Sequence, residues 1–98
     1  MPTARSAFET EANLLSSLAH PIRLQILEIL RDGEACVCHI QAALNQRQAY
    51  VSQHLMALRA AGLVTRRKEG LRVYYRLSDP QILDILDDVQ TVAQTNDL

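Results

Sequence analysis

The period of the hydrophobic pattern changes twice along this chain, and that limits its possible folds more than any other feature. Up to Gly62 the apolar residues recur at helical spacing. Leu63–Arg67 and Val73–Leu77 are instead β-branched and aromatic-rich runs, joined by a loop containing Gly70, and they predict a hairpin. Helical spacing returns after Ser78-Asp79-Pro80, which supplies a cap and a proline for the first turn.

Within the first part, Phe8, Leu14, Leu15 and Leu18 give an incomplete apolar stripe over a predicted helix at 6–18. Ala19-His20-Pro21 interrupts it, because the residue before a proline is biased away from helical backbone. Pro21 suits the first position of the next helix, where its missing N–H is no loss. Ile22, Ile26, Ile29 and Leu30 then mark a core helix over 21–31, closed by Asp32-Gly33. Beyond Cys36-Val37-Cys38, Ile40, Ala43 and Leu44 predict a short helix and Asn45-Gln46 a turn. The following helix buries Val51, Leu55 and Leu58. The order is α-α-α-α-β-β-α: a mainly α chain with a β-hairpin wing.

Ninety-eight residues suit one domain, 1–98. No apolar run approaches the roughly 20 residues that span a bilayer. The opening MPTARSAFETE has no apolar signal core, so the expected location is cytoplasmic and the two cysteines are expected to be thiols. Net charge is only −1, but it is segregated: residues 1–45 carry −2, residues 46–76 carry +6 and residues 77–98 carry −5. A basic middle between acidic flanks suits a phosphate-binding surface, although a solvated face gives the same pattern.

Two short helices with a tight turn (about 37–60), followed by a basic hairpin (about 63–77), describe a winged helix-turn-helix. The second helix of such a unit anchors one face in the core and offers polar groups to base edges in the major groove. The candidate DNA-binding residues are Arg47, Gln48, Tyr50, Ser52, Gln53 and His54 on that helix. Lys68 and Arg72 are candidates for phosphate or minor-groove contact, and Arg59, Arg66 and Arg67 for phosphate contact or plain surface charge.

Over roughly residues 14–88 the chain resembles the ArsR/SmtB family of winged-helix metalloregulatory repressors. The resemblance is carried by Leu18-Ala19-His20-Pro21-Ile22-Arg23-Leu24-Gln25-Ile26-Leu27, Cys36-Val37-Cys38, Val51-Ser52-Gln53-His54-Leu55 with Leu58-Arg59, Ala61-Gly62-Leu63-Val64 and Gly70–Leu77. It implies a homodimer packed through the first and last helices (about 6–18 and 80–94), bound to an inverted-repeat operator in double-stranded DNA and released by an inducer. The apolar stripe Ile82, Ile85, Leu86, Val89, Val92 and Ala93 is long for a terminal helix on so small a domain, and it suits that interface.

Cysteines two apart in a regular helix point about 200° apart and cannot share one ion. At a loop-to-helix junction they can, and there the helix N-terminus also favours thiolate. Cys36 and Cys38 therefore form a candidate site for a thiophilic ion: As(III), Sb(III), Cd(II), Pb(II), Hg(II) or Zn(II). His39 is a further candidate ligand. The residues alone also allow one or both cysteines to be small buried hydrophobes.

Cys-Val-Cys at this point is similar to the inducer site of the family's arsenic and cadmium/lead sensors. However, the third cysteine of the arsenite type is Gln41 here, residues 1–13 hold no cysteine, and no histidine follows Asp79-Pro80-Gln81. The alternatives are the same repressor answering oxidant or reactive sulfur through its thiols, and a winged-helix protein-interaction module. No carboxylate or amide is placed to orient a Cys–His nucleophile, so no enzyme is expected and no catalytic residue is assigned.

Overall fold

The computed structural model describes residues 4–96, so the outer ends of the expected 1–98 domain lie outside the described residues. Helix α1 (Ala4–Leu18) leads into α2 (Pro21–Ile29), which tightens into a 3-10 turn at Leu30–Asp32. A two-residue strand β1 (Ala35–Cys36) precedes α3 (Val37–Leu44) and α4 (Gln48–Ala60). The hairpin is β2 (Val64–Glu69) and β3 (Arg72–Leu77), and α5 (Gln81–Thr95) closes the chain.

Local chemistry sets the boundaries. Pro21 opens α2 after His20, whose backbone is extended. The turn between α3 and α4 begins at Asn45, which takes a left-handed conformation (φ 53°, ψ 47°) that asparagine tolerates well. Helix α4 ends in a Schellman motif: Leu63 N–H donates to the Leu58 carbonyl at 2.9 Å and Gly62 N–H to that of Arg59 at 3.0 Å. Gly62 supplies the positive φ of 78° this requires. Ser78 Oγ then donates to the Gly62 carbonyl at 2.6 Å, tying the end of the wing to the end of α4. At α5 the capping group is Asp79, whose Oδ1 accepts from Gln81 N–H at 2.9 Å.

The sheet has order β1-β3-β2 and is antiparallel throughout. Glu69 pairs with Arg72, leaving Gly70-Leu71 as a two-residue tip with positive φ at Gly70 only, the pattern of a type II′ turn. Strand β1 was not expected. It pairs Ala35 with Tyr75 and Cys36 with Tyr74, so the cysteine segment is hydrogen-bonded to the wing.

The core gathers Ile26, Leu27 and Leu30 from α2 and its turn, Ile40 from α3, and Val51, Leu55 and Leu58 from α4. These pack against Leu18, Leu63, Val64, Tyr75, Ile82 and Leu86. Each fully buried leucine or isoleucine contributes about 1.5–3 kcal/mol relative to exposure. Of the α1 stripe only Leu18 is buried, while Phe8 and Leu15 are exposed. On α5, Ile82 and Leu86 are buried but Val89 and Val92 remain exposed. No helix among the described residues is long and apolar enough to cross a membrane.

Candidate nucleic-acid interface and cysteine site

Helix α4 is anchored by Val51, Leu55 and Leu58, all fully buried, and this fixes which side chains point outward. Arg47 occupies the N-cap position with extended backbone and makes no side-chain capping bond. Gln48 and Gln53 are exposed, Ser52 is half-buried, and Tyr50 remains 43% exposed. These five share the N-terminal half of α4. Arg59 lies in its last turn, next to the orphan carbonyls, and is exposed.

His54 departs from expectation. It is 8% exposed and lies on the buried arc of α4, not among the outward groups. Its Nδ1 accepts a hydrogen bond from Arg23 Nε at 3.0 Å, and Arg23 Nη1 also donates to the Ser17 carbonyl at 3.1 Å. Tyr50 packs edge-on against the His54 ring at 4.7 Å between centroids, and His20 lies 5.9 Å away. Burial pushes the His54 pKa down, and the neighbouring Arg23 and His20 push it the same way. His54 thus reaches the outer face only through Tyr50. Its spacing, three after Val51 and one before Leu55, was the signal for this position.

On the wing, Lys68 and Arg72 flank the tip and are exposed, and Leu71 at the tip is fully exposed. Arg67 is engaged elsewhere. Its guanidinium meets Glu34 at 2.6 Å, pairs with Glu69, and sits 4.7 Å over the Tyr74 ring. The Arg67 hydrogen bond holds the Glu34 carboxyl below the usual carboxylate range. Glu34 directly precedes β1, so Arg67 tethers the wing to the cysteine segment. Arg66 and Arg72 have no carboxylate partner among the described residues.

Cys36 is the N-cap of α3: its backbone is extended (φ −76°, ψ 155°) and its Sγ accepts from His39 N–H at 3.2 Å. The expected junction geometry therefore holds, with Cα atoms of Cys36 and Cys38 5.3 Å apart. The expectation of free thiols does not: the two sulfurs are joined as a disulfide. Extended backbone at Cys36 turns its side chain over the first turn of α3, where Cys38 can meet it. Cys36 is half-buried and Cys38 exposed.

His39 contributes its backbone N–H to Cys36, while its imidazole is exposed. Among the described residues no group of three or more His, Cys, Asp or Glu could hold a metal ion. Two thiolates alone suit linear Hg(II).

Both cysteines open onto a cleft of about 360 Å³, lined also by Gln48, Ser52 and Met56 of α4 and by Arg66, Leu71 and Arg72 of the wing. Cysteines, outward face of α4 and wing thus share one concave surface.

The pattern described as "Bacterial regulatory protein, arsR family" matches residues 20–66. A solved structure of the homodimeric winged helix-turn-helix DNA-binding domain of a possible ArsR-family transcriptional regulator from Mycobacterium bovis superposes with TM-score 0.84. It is 34% identical and covers 100% of this chain and 93% of that one. The chain belongs to the ArsR family. Within the family it is 40% identical to the HTH-type transcriptional repressor SmtB of Mycobacterium tuberculosis, over 89% of this chain and 64% of that one. To the arsenical resistance operon repressor of Escherichia coli it is 44% identical, over 74% of this chain and 62% of that one. The chain thus spans slightly under two thirds of either curated relative. As in the M. bovis domain, the ArsR-family fold here is a winged helix-turn-helix.

Proposed function

We propose that this ArsR-family chain is a DNA-binding transcriptional repressor and not an enzyme. It acts as a homodimer on an inverted-repeat operator, and its affinity for DNA is set at the Cys36–Cys38 pair. The observation that carries this reading is the shared cleft: the two cysteines line the same space as Gln48 and Ser52 of α4 and Arg66 and Arg72 of the wing. The exposed Phe8, Leu15, Val89 and Val92 on α1 and α5 support dimerisation through those helices. Arg47, Gln48, Tyr50, Ser52 and Gln53 offer donors and acceptors to base edges, and Arg59, Lys68 and Arg72 offer charge to phosphates.

The family resemblance favours a thiophilic ion as effector, with Cys36 and Cys38 as its ligands. The donor set in one chain suits a two-coordinate ion. A second reading, release by oxidant or reactive sulfur, is favoured by the joined sulfurs. Either change would act at the N-cap of α3, the first helix of the helix-turn-helix, and through β1 on the wing.

Gel-shift titration of the DNA upstream of the chain's own reading frame tests both parts. Specific binding that weakens steeply with salt, and is lost in Gln53→Ala with Tyr50→Ala, is expected. Sequence-independent binding unaffected by those changes would instead favour the protein-interaction module. Titrating the reduced complex with Hg(II), arsenite, antimonite, Cd(II), Pb(II), Zn(II) and peroxide separates the effectors. Release by peroxide alone would end the ion reading, and release by ions alone the oxidant reading.

A further inference from the structure

The two joined sulfurs are not equivalent. Cys38 is exposed on the cleft, while Cys36 is half-buried and accepts the His39 N–H at 3.2 Å. A thiolate attacking a disulfide strikes the accessible sulfur and expels the one best able to hold negative charge. Here the exposed residue of the pair is Cys38. The better leaving group is Cys36, because an N–H already points at its Sγ and the first turn of α3 favours an anion there.

The cleft beside Cys38 carries Arg66 and Arg72, neither with a carboxylate partner among the described residues. Gln48 and Ser52 add uncharged hydrogen-bonding groups on the opposite wall, and Met56 adds apolar surface. Its volume of about 360 Å³ lies within the range of small-molecule sites. A disulfide in a cleft lined by two arginines without a carboxylate partner among the described residues selects a thiol that carries a negative charge of its own.

We propose that this cleft takes a small anionic thiol, which opens the Cys36–Cys38 disulfide and remains bound to Cys38 as a mixed disulfide. This rests on the pair being the effector input. The incoming thiol loses its proton to solvent, and its sulfur forms a bond to Cys38 Sγ. The Cys36–Cys38 bond breaks, and its electron pair leaves on Cys36 as thiolate, held by the His39 N–H. One disulfide replaces another, with no net oxidation. The reverse attack by Cys36 on Cys38 expels the ligand and restores the starting state. While bound, the adduct occupies space between α4 and the wing.

The test uses the full chain in its disulfide form, without DNA, so its outcome is separate from the repressor reading. Exchange is followed with 3-mercaptopropionate (anionic), 2-mercaptoethanol (neutral) and cysteamine (cationic). Each rate is divided by that thiol's rate with an uncharged reference disulfide, and adducts are mapped by mass spectrometry after alkylation. The expected result is an adduct on Cys38 with Cys36 alkylated, and normalised rates that favour the anionic thiol over the cationic one by at least about threefold.

The preference should collapse in Arg66→Met/Arg72→Met. If that variant does not fold, the same collapse is read on the unaltered chain at high ionic strength. Adducts found chiefly on Cys36, equal normalised rates, or a preference unmoved by both the variant and salt would overturn the proposal.

Discussion

Arg23 Nε donates to His54 Nδ1 at 3.0 Å, which places the imidazole proton on Nε2 and leaves the ring neutral. Protonating Nδ1 would set two donors against each other. With the folded pKa pushed below the ordinary histidine value of about 6.5, the unfolded chain binds more protons between the two values. The stabilisation from neutral His54 is therefore complete above about 6.5 and is lost as pH falls through that window. Thermal unfolding should show Tm dropping as pH falls below about 6.5, with a shallower drop in His54→Asn, which keeps an acceptor near Nδ1 and cannot titrate. An identical pH profile in the variant would remove His54 from this role. His54→Ala should lower stability by about 1–3 kcal/mol, since it strips Arg23 of its partner and leaves space in a packed arc.

Polar chemistry misleads the sequence reading at this residue. Histidine is grouped with outward donors by type, but lies only about 60° from Val51 on the helical wheel. Spacing alone would have placed it inward. Its partner Arg23, 31 residues away in sequence, carried no local signal.

At the scale of elements, the wing is joined to the cysteine segment twice, by the β1–β3 ladder and by Arg67 bridging to Glu34. The bridge is exposed, so solvent screening leaves it little weight in stability. Its consequence for DNA is sharper. Arg67 is already neutralised by Glu34 and Glu69, whereas Arg72 is unpaired among the described residues. Each phosphate contact removed should flatten the log affinity against log salt slope by about 0.9, or about 2 for a dimer. Arg72→Met should show that loss and Arg67→Met should not; equal slopes would contradict the assignment.

The hairpin, the turn at Asn45 and the α4 terminus were legible because each has a period or a turn residue that demands it. Strand β1 was not. Two residues have no period, and their pairing with Tyr74 and Tyr75 depends on chain that comes much later. The junction at Cys36 was foreseen; free thiols were the expectation for its sulfur and that of Cys38, because their joining depends on the N-cap backbone angle.

The whole molecule divides its surface by charge and by polarity. The basic stretch 46–76 builds the outer side of α4 and the wing, where Met56 and Leu71 are also exposed, while Phe8, Leu15, Val89 and Val92 are exposed on the terminal helices. Sequence alone showed that α5 carried a stripe longer than one domain needs, and the structure buries only its first part, at Ile82 and Leu86. Leu15→Lys with Val92→Lys should shift the chain toward monomer in sedimentation and weaken binding to an inverted repeat far more than to a half-site. Unchanged sedimentation would place the dimer contact elsewhere.

On the proposed function, the state of two sulfurs at the N-cap of α3 sets the affinity of α4 and the wing for DNA. Fluorescence anisotropy of a labelled operator duplex, titrated with fully reduced and fully disulfide-bonded chain at the same salt, measures this directly. The disulfide form should bind at least about tenfold more weakly, a difference of about 1.4 kcal/mol. Cys36→Ser or Cys38→Ser should abolish the difference. Equal affinities of the two forms for the same operator would contradict it.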